Sequence, residues 1–100
     1  MYGLIGRMIA APGKRDELLA AMSGSTSDMP GCLSYVIALD RENPDALWIT
    51  EVWDSAECHK ASLSLPAVRE AIAKARPIIA RFDNRVETVP VSGVGLQGAK

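Results

Sequence analysis

The part of this chain best equipped for chemistry is a stretch of nine residues from Glu51 to His59. It holds a carboxylate at Glu51, an indole at Trp53 and, at His59, the only histidine of the chain. A histidine can exchange a proton near neutral pH, and a carboxylate can do so when its surroundings raise its pKa. A large aromatic ring beside such groups can form one wall of a pocket for a planar ligand. The stretch indicates acid–base chemistry but does not identify a substrate.

Each of these three side chains also has a purely structural interpretation. Trp53, taken alone, is more often a core residue than a ligand contact. Glu51 shares a strand face with Trp53, because side chains alternate, and a buried carboxylate needs a partner. It is either a structural ion pair with Arg7 or a base that lines a cavity. His59 is either a solvated helix residue or the general base.

Other residues add weaker signals. Arg7 interrupts an apolar strand and reaches either an edge or a polar cavity. Tyr35, with Tyr2 and Trp48, supplies aromatic surface with polar tips. Cys58 is interpreted as an inert thiol. The chain has a single histidine, so we expect no histidine-rich metal site. It has no glycine-rich phosphate loop and no GxSxG motif, so we expect neither a phosphate-binding loop nor a nucleophilic serine of that type.

The composition is that of one soluble domain. One hundred residues, of which 48% are hydrophobic, bury roughly 65% of their unfolded surface on folding. The formal net charge of −1 gives no attraction to nucleic acid or to a membrane surface. The chain shows no signal-peptide pattern and no apolar run of the ~20 residues that span a bilayer. Two cysteines without metal-ligand spacing are interpreted as reduced thiols, and we expect a cytoplasmic protein.

Hydrophobic patterning predicts the elements that position these residues. Asp54 is the expected N-cap of the helix after the third strand, with Glu57 as its capping-box partner. That helix should pause near Pro66 and resume until Pro77 kinks or ends it. We expect a domain over residues 1–90 and a glycine-rich tail over 91–100. The other predicted elements are strands at 2–10, 32–39, 47–53 and 82–89, a helix at 14–22 and a loop at 23–31.

The order β-α-β-β-α-β predicts a ferredoxin-like α+β fold, an antiparallel sheet with helices on one face. The first three strands carry apolar residues at both alternations, so the face without helices also needs cover. This pattern predicts a homodimer in which two sheets meet. The residue pairs behind it are Leu4 and Ile5, Tyr35 and Val36, and Ile49 and Val52.

Several short motifs, taken in order, resemble the antibiotic biosynthesis monooxygenase superfamily of dimeric α+β barrels. They are Pro12-Gly13 after the first strand, Gly31-Cys32 and Tyr35 in the second, and Glu51-Val52-Trp53 closing the third. The resemblance covers residues 2–90. Two further pairings are similar to the quinol-monooxygenase-like branch, namely Ser62-Leu63 and the run over residues 76–79.

The resemblance implies a cavity between sheet and helices and oxygenation without flavin, metal or another cofactor. The substrate is then a quinol or polyphenol that itself reduces oxygen once deprotonated. Trp53 aligns with a family tryptophan that faces the cavity, and Glu51 with an acid two residues earlier. Haem-degrading relatives carry an asparagine on the first strand and a later helix histidine. Here Gly6, Arg7 and Leu63 occupy those regions, so we expect no haem.

Our hypothesis from the sequence is a cofactor-independent monooxygenase that acts on a small aromatic quinol-like substrate with molecular oxygen. The catalytic candidates are His59 and Glu51, and the substrate-binding candidates are Trp53, Tyr35 and Arg7. Two alternatives stay open at this point. One is a non-catalytic dimeric module that binds a small hydrophobic metabolite, and the other is a structural dimerisation domain.

Overall fold

A computed structural model describes residues 1–23 and 29–96. Residues 24–28 of the expected loop and residues 97–100 of the expected tail lie outside that part of the chain. The domain boundary at residue 90 stays a prediction. In chain order the elements are β1 (Tyr2–Ala10), α1 (Arg15–Ser23), β2 (Cys32–Leu39), β3 (Ala46–Trp53), α2 (Ala56–Ser62), α3 (Pro66–Ala75) and β4 (Ile79–Thr88).

The strands form one antiparallel sheet in the order β2-β3-β1-β4. This arrangement confirms the ferredoxin-like α+β fold, with the second helical segment divided into α2 and α3. The division falls where Pro66 begins α3, because a proline in the first turn removes no helical hydrogen bond. The helix ends at Ala75, so Pro77 follows its end and does not kink it.

The start of α2 differs from the prediction by one residue. Ser55, and not Asp54, is the N-cap, since the Ser55 hydroxyl accepts a hydrogen bond from the Cys58 backbone N–H at 3.2 Å. Asp54 instead donates its backbone N–H to the Gly31 carbonyl at 2.8 Å. Because Asp54 is still tied to Gly31, just before the start of β2, the expected capping box of Asp54 and Glu57 is wrong.

The core lies between the sheet and the helices. Leu18 of α1, Leu47 of β3 and Trp53 are its largest fully buried side chains. Ala71 and Ala75 give α3 a small-residue face, which is also buried. Apolar side chains spaced along each helix thus cover one face of the sheet, as amphipathic helices do in α+β domains.

The other face of the sheet carries a stripe of apolar side chains. Val36 and Val86 each keep 52% of their surface exposed, and Ile5 and Val52 are half-buried. Their sequence neighbours point to the helices, so these residues point away from them. The homodimer stays a prediction. Among the described residues, no helix combines the length and apolar character needed to cross a membrane.

Candidate active site

A tight corner between β3 and α2 positions the candidate site. The strand ends at Trp53, and the Ser55 cap starts the helix two residues later. Gly31 packs against this corner with φ +81°, and a Cβ built there would lie 2.6 Å from the Cys58 sulfur. Because the corner is so tight, α2 carries His59 directly over the end of β3.

Glu51 and Trp53 lie on the same face of β3 and are joined by a hydrogen bond. The Trp53 indole donates Nε1–H to Glu51 Oε1 at 2.9 Å. Trp53 is 1% exposed and the Glu51 side chain 12% exposed. The expected alternation on β3 is therefore present, and the carboxylate is held inside the fold by an indole donor.

His59 completes a compact group with these two residues. Its Nε2 lies 3.8 Å from Glu51 Oε1, and its side chain is 19% exposed. The imidazole packs edge-on against the Trp53 ring, with centroids 5.5 Å apart. On its other side lies the Tyr2 ring at 5.6 Å. A solvated helix histidine would not show this enclosure, so the structure places His59 with Glu51 and Trp53.

Burial is the main influence on the protonation of Glu51. It raises the pKa of this carboxyl, while the Trp53 hydrogen bond and the charges of His59 and Arg85 oppose the rise. A carboxylate with a raised pKa is a better proton acceptor than one in water. The group around Glu51 can therefore accept a proton from a weakly acidic ligand.

A cavity of about 260 Å³ opens between the sheet and the helices at this group, and we call it the tryptophan cavity. Glu51, Trp53, His59 and Tyr35 all line it, together with apolar side chains. Burial, and then the nearby Glu51 charge, raise the pKa of the Tyr35 hydroxyl, so it stays a neutral donor. Four of the five residues predicted for the site are thus brought together. The apolar part of the wall comes from Leu4, Met8, Met22, Met29, Ile49, Leu63, Val68, Ala71, Ile72 and Phe82.

Arg7 is the one predicted site residue that the fold does not bring to this cavity. It lies on the opposite face of the sheet, where its Nε donates to Asp83 Oδ1 at 2.8 Å and its Nη1 to Asp40 Oδ2 at 3.2 Å. The guanidinium also sits 5.4 Å from the Trp48 ring centroid. Arg7 therefore ties β1 to β4 and to the turn after β2. Glu51 does not pair with Arg7, and its neighbours are Trp53 and His59 instead.

Arg85 is a site residue that the sequence analysis missed. It lines the tryptophan cavity and an adjoining cavity of about 400 Å³, which also contacts Glu51. In the sheet register Arg85 faces Gly6 of β1, whose missing side chain leaves room on that face. Arg85 brings a positive charge to a cavity whose carboxylate is Glu51.

A metal site would need several His, Cys, Asp or Glu side chains to lie close together. Within residues 1–23 and 29–96, no three His, Cys, Asp or Glu side chains converge as the ligands of a metal site would. The cysteines, Cys32 and Cys58, are free thiols. The arrangement offers a proton acceptor, an aromatic wall and a cation around an apolar space.

A family model described as antibiotic biosynthesis monooxygenase matches residues 1–74 of the chain. A solved structure from Chloroflexus aurantiacus J-10-fl, described as a candidate antibiotic biosynthesis monooxygenase, is 63% identical. The match covers 95% of this chain and 97% of that one, with a TM-score of 0.92. A comparison with curated proteins finds no significant match.

More distant solved structures share the fold. A Deinococcus radiodurans protein is 23% identical, with a TM-score of 0.73 and coverage of 94% of this chain and 96% of that chain. A Nitrosomonas europaea protein is 14% identical, with a TM-score of 0.76 and coverage of 94% and 99%. Both are described as candidate antibiotic biosynthesis monooxygenases. At these identities the likeness concerns the fold alone.

Proposed function

This chain belongs to the antibiotic biosynthesis monooxygenase family, and we propose that it oxidises a small aromatic quinol-like substrate with molecular oxygen, without a cofactor. The observation that carries the proposal is the Glu51 carboxylate, held inside an apolar cavity between an indole N–H and an imidazole. Such a group can deprotonate a phenol in surroundings from which water is largely excluded.

The first step is proton transfer from a phenolic hydroxyl to the Glu51–His59 pair. The two side chains are 3.8 Å apart, which is longer than a direct hydrogen bond. Each is therefore a separate candidate acceptor. With the proton on His59 the Glu51 carboxylate stabilises the imidazolium, and with the proton on Glu51 both side chains are neutral. His59 is the candidate base at the rim, and Glu51 is the candidate base deeper in the cavity. We expect removal of either residue to slow turnover, and a residue whose loss leaves turnover unchanged is not the base.

The second step is electron transfer from the phenolate to oxygen. The phenolate gives one electron to oxygen, and the resulting radical pair recombines at a ring carbon. Loss of water then yields the product, so that a hydroquinone and one oxygen molecule give a hydroxyquinone and one water molecule. All electrons come from the substrate, and the protein supplies the base, the enclosure and the orientation.

The walls of the cavity fit this role. Trp53 provides a flat surface for the substrate ring, and the Tyr35 hydroxyl is a neutral donor for a quinol oxygen. The Arg85 guanidinium also lines the cavity, which supports a role in stabilising the phenolate once the proton has left. The remaining lining is apolar and suits an aromatic ligand.

The burial of Glu51 and His59 favours catalysis over simple binding. A module that only binds a hydrophobic metabolite needs shape and apolar walls, and a carboxylate inside the cavity weakens such binding. A structural dimerisation domain would fill the cavity with side chains, whereas this cavity has a volume of about 260 Å³. Both alternatives are therefore less well supported than the monooxygenase.

We include a cytoplasmic homodimer in the proposal. The apolar stripe of Ile5, Val36, Val52 and Val86 supports association of two sheets. The free thiols of Cys32 and Cys58 suit a reducing compartment.

Oxygen uptake with a panel of hydroquinones tests the function. We expect uptake that depends on the protein and falls by about 10²-fold in Glu51→Gln, the usual contribution of a general base. Glu57→Gln is a matched control, because Glu57 is exposed in the first turn of α2. Binding of quinols without any protein-dependent oxygen uptake would favour the non-catalytic module.

A further inference from the structure

A second cavity, which we call the α3 cavity, lies beyond the tryptophan cavity. Its volume is about 300 Å³, and it is bounded by the C-terminal half of α3 and the start of β4. Apart from Arg76 and Arg81, the residues that line it are apolar. The residues that form most of its wall are Met8, Met22, Ile72, Ala75, Ile79 and Phe82.

The two cavities share part of their wall. Met8, Met22, Ile72 and Phe82 line both. Along α3, the tryptophan cavity contacts Val68, Ala71 and Ile72, and the α3 cavity continues at Ile72, Ala75 and Arg76. The two cavities thus adjoin beside the helix, and we call them together the cleft. Glu51 and His59 lie at one end, and the walls towards the other end are apolar apart from Arg76 and Arg81.

We propose that the quinol-like substrate carries an apolar side chain, and that this chain lies in the α3 cavity while the aromatic ring lies against Trp53. This inference rests on the proposed function and adds the substrate class. A ring with no substituent would leave the α3 cavity unfilled beside it. An alkyl or isoprenoid chain would bury the same methionine and phenylalanine surfaces without needing a hydrogen bond.

The size and the side chains of the cleft suit such a chain. From Val68 to Arg76 the helix rises roughly 12 Å at 1.5 Å per residue, about the length of an extended ten-carbon chain. The shared methionines are flexible, so they adapt to a chain without fixed shape. Ala80 lies at the start of β4, is exposed and lines only the α3 cavity of the two. Because its side chain is small, a larger residue at this position would narrow that cavity.

Binding of two hydroquinones under oxygen-free conditions tests the inference. The probes are methylhydroquinone and the same ring with a decyl chain. Binding of each is measured by the quenching of tryptophan fluorescence. We expect the decyl compound to bind the wild-type protein at least about tenfold tighter, the gain from burying as few as two methylene groups. Ala80→Phe should remove that preference and leave the affinity for methylhydroquinone unchanged. Ala73→Phe is the control, since Ala73 is exposed on α3 and outside both cavities.

The outcomes separate the substrate class from the reaction. An unchanged preference in Ala80→Phe, an equal loss in Ala73→Phe, or no binding of either compound to wild type overturns the inference. Ala80→Leu gives the same measurement if the phenylalanine variant does not fold. Oxygen uptake is measured separately on both compounds. The expected binding pattern without oxygen uptake would support the apolar side chain and reject the monooxygenase. Oxygen uptake without a binding preference for the decyl compound would support the monooxygenase and reject the apolar side chain.

Discussion

Trp53 donates its indole N–H to the carboxylate of Glu51, two residues earlier on the same face of β3, at 2.9 Å. The indole is fully buried, so the bond orients a carboxylate that has few other donors within the fold. His59 approaches the same oxygen from α2. One strand and one helix thus create a proton acceptor whose position is fixed by the backbone on both sides.

The raised pKa of Glu51 predicts how the stability of the protein depends on pH. Below the pKa that Glu51 has in the unfolded chain, its carboxyl is protonated in both states, and no charge has to be buried on folding. As the pH rises towards the higher folded value, the unfolded state loses its proton first, so the folded state is destabilised. The cost is therefore absent in acid and present at neutral pH.

Glu51→Gln removes that cost and keeps an amide oxygen that can accept the Trp53 N–H. Relative to wild type, its free energy of unfolding should rise between mildly acidic and neutral pH, as measured by urea denaturation at each pH. Glu57→Gln, on the exposed first turn of α2, should show no such trend. A stability difference between Glu51→Gln and wild type that does not vary with pH would contradict the burial of the charge.

His59→Ala should lower turnover of a hydroquinone by about 10²-fold, the usual contribution of a general base, and change substrate affinity little. The pH dependence of turnover should change as well, because the variant lacks a group that accepts the substrate proton. Oxygen-electrode assays over a range of pH give both quantities. Lys60→Ala, at the next and exposed position of α2, is the control. Unchanged turnover in His59→Ala would exclude His59 as the base. Either Glu51 would then be the base, or the substrate would be acidic enough to lose its proton without one.

Trp53→Phe should weaken binding of aromatic ligands and lower the free energy of unfolding by about 1–3 kcal/mol, since it loses contact area and a hydrogen bond to a carboxylate. Trp48→Phe is a matched control. Trp48 also donates its indole N–H to a carboxylate, that of Asp40 at 2.7 Å, but lies on the other face of the sheet. Fluorescence titration and urea denaturation measure the two effects. Equal weakening of ligand binding in both variants would show that Trp53 does not contact the ligand.

The sequence was sufficient for the strands and for part of the site. Alternation along β3 places Glu51 and Trp53 on one face, because a strand repeats every two residues. The ends of β1 and β2 were also predicted correctly. The choice between Asp54 and Ser55 as N-cap was not predictable, since both types cap helices well. It was decided by the Asp54 N–H, which is bonded to Gly31 far away in sequence.

The position of Arg85 shows why the rest of the site needed the structure. Phe82 and Arg85 are three residues apart, and simple alternation would put them on opposite faces of β4. The register of β4 against β1 shifts between Phe82 and Asn84, so that Asp83 is an additional residue. This bulge turns both side chains towards the tryptophan cavity. A shift of this kind depends on pairing between distant strands, and no local pattern reveals it. The partners of Arg7 depend on strand pairing too, since Asp83 is the additional residue of this bulge and Asp40 follows β2.

Gly31→Ala should destabilise the corner between β3 and α2 more than a positive φ alone explains. Gly31 and Gly13 have φ of +81° and +77°, and a Cβ at Gly13 meets no atom within 4 Å. Gly13→Ala should cost about 1–2 kcal/mol, the penalty for an ordinary residue in the left-handed region. Gly31→Ala should cost a further 1–3 kcal/mol or so, because its Cβ would overlap the Cys58 side chain. Equal losses in urea denaturation would show that the corner can relax around the added methyl group.

Val36→Glu should convert the proposed homodimer into a monomer. Val36 lies in the centre of β2 on the face away from the helices, and it is half exposed in a single chain. A charge there would be buried without a partner if two sheets meet, and this would oppose association. Leu39→Glu is the matched control: Leu39 is exposed to a similar degree on the same strand but faces the helix side, opposite Leu47. Light scattering at micromolar concentration should give a dimer for wild type and Leu39→Glu and a monomer for Val36→Glu. A wild-type protein that is already monomeric, or a Val36→Glu variant that stays dimeric, would show that the apolar stripe has another role.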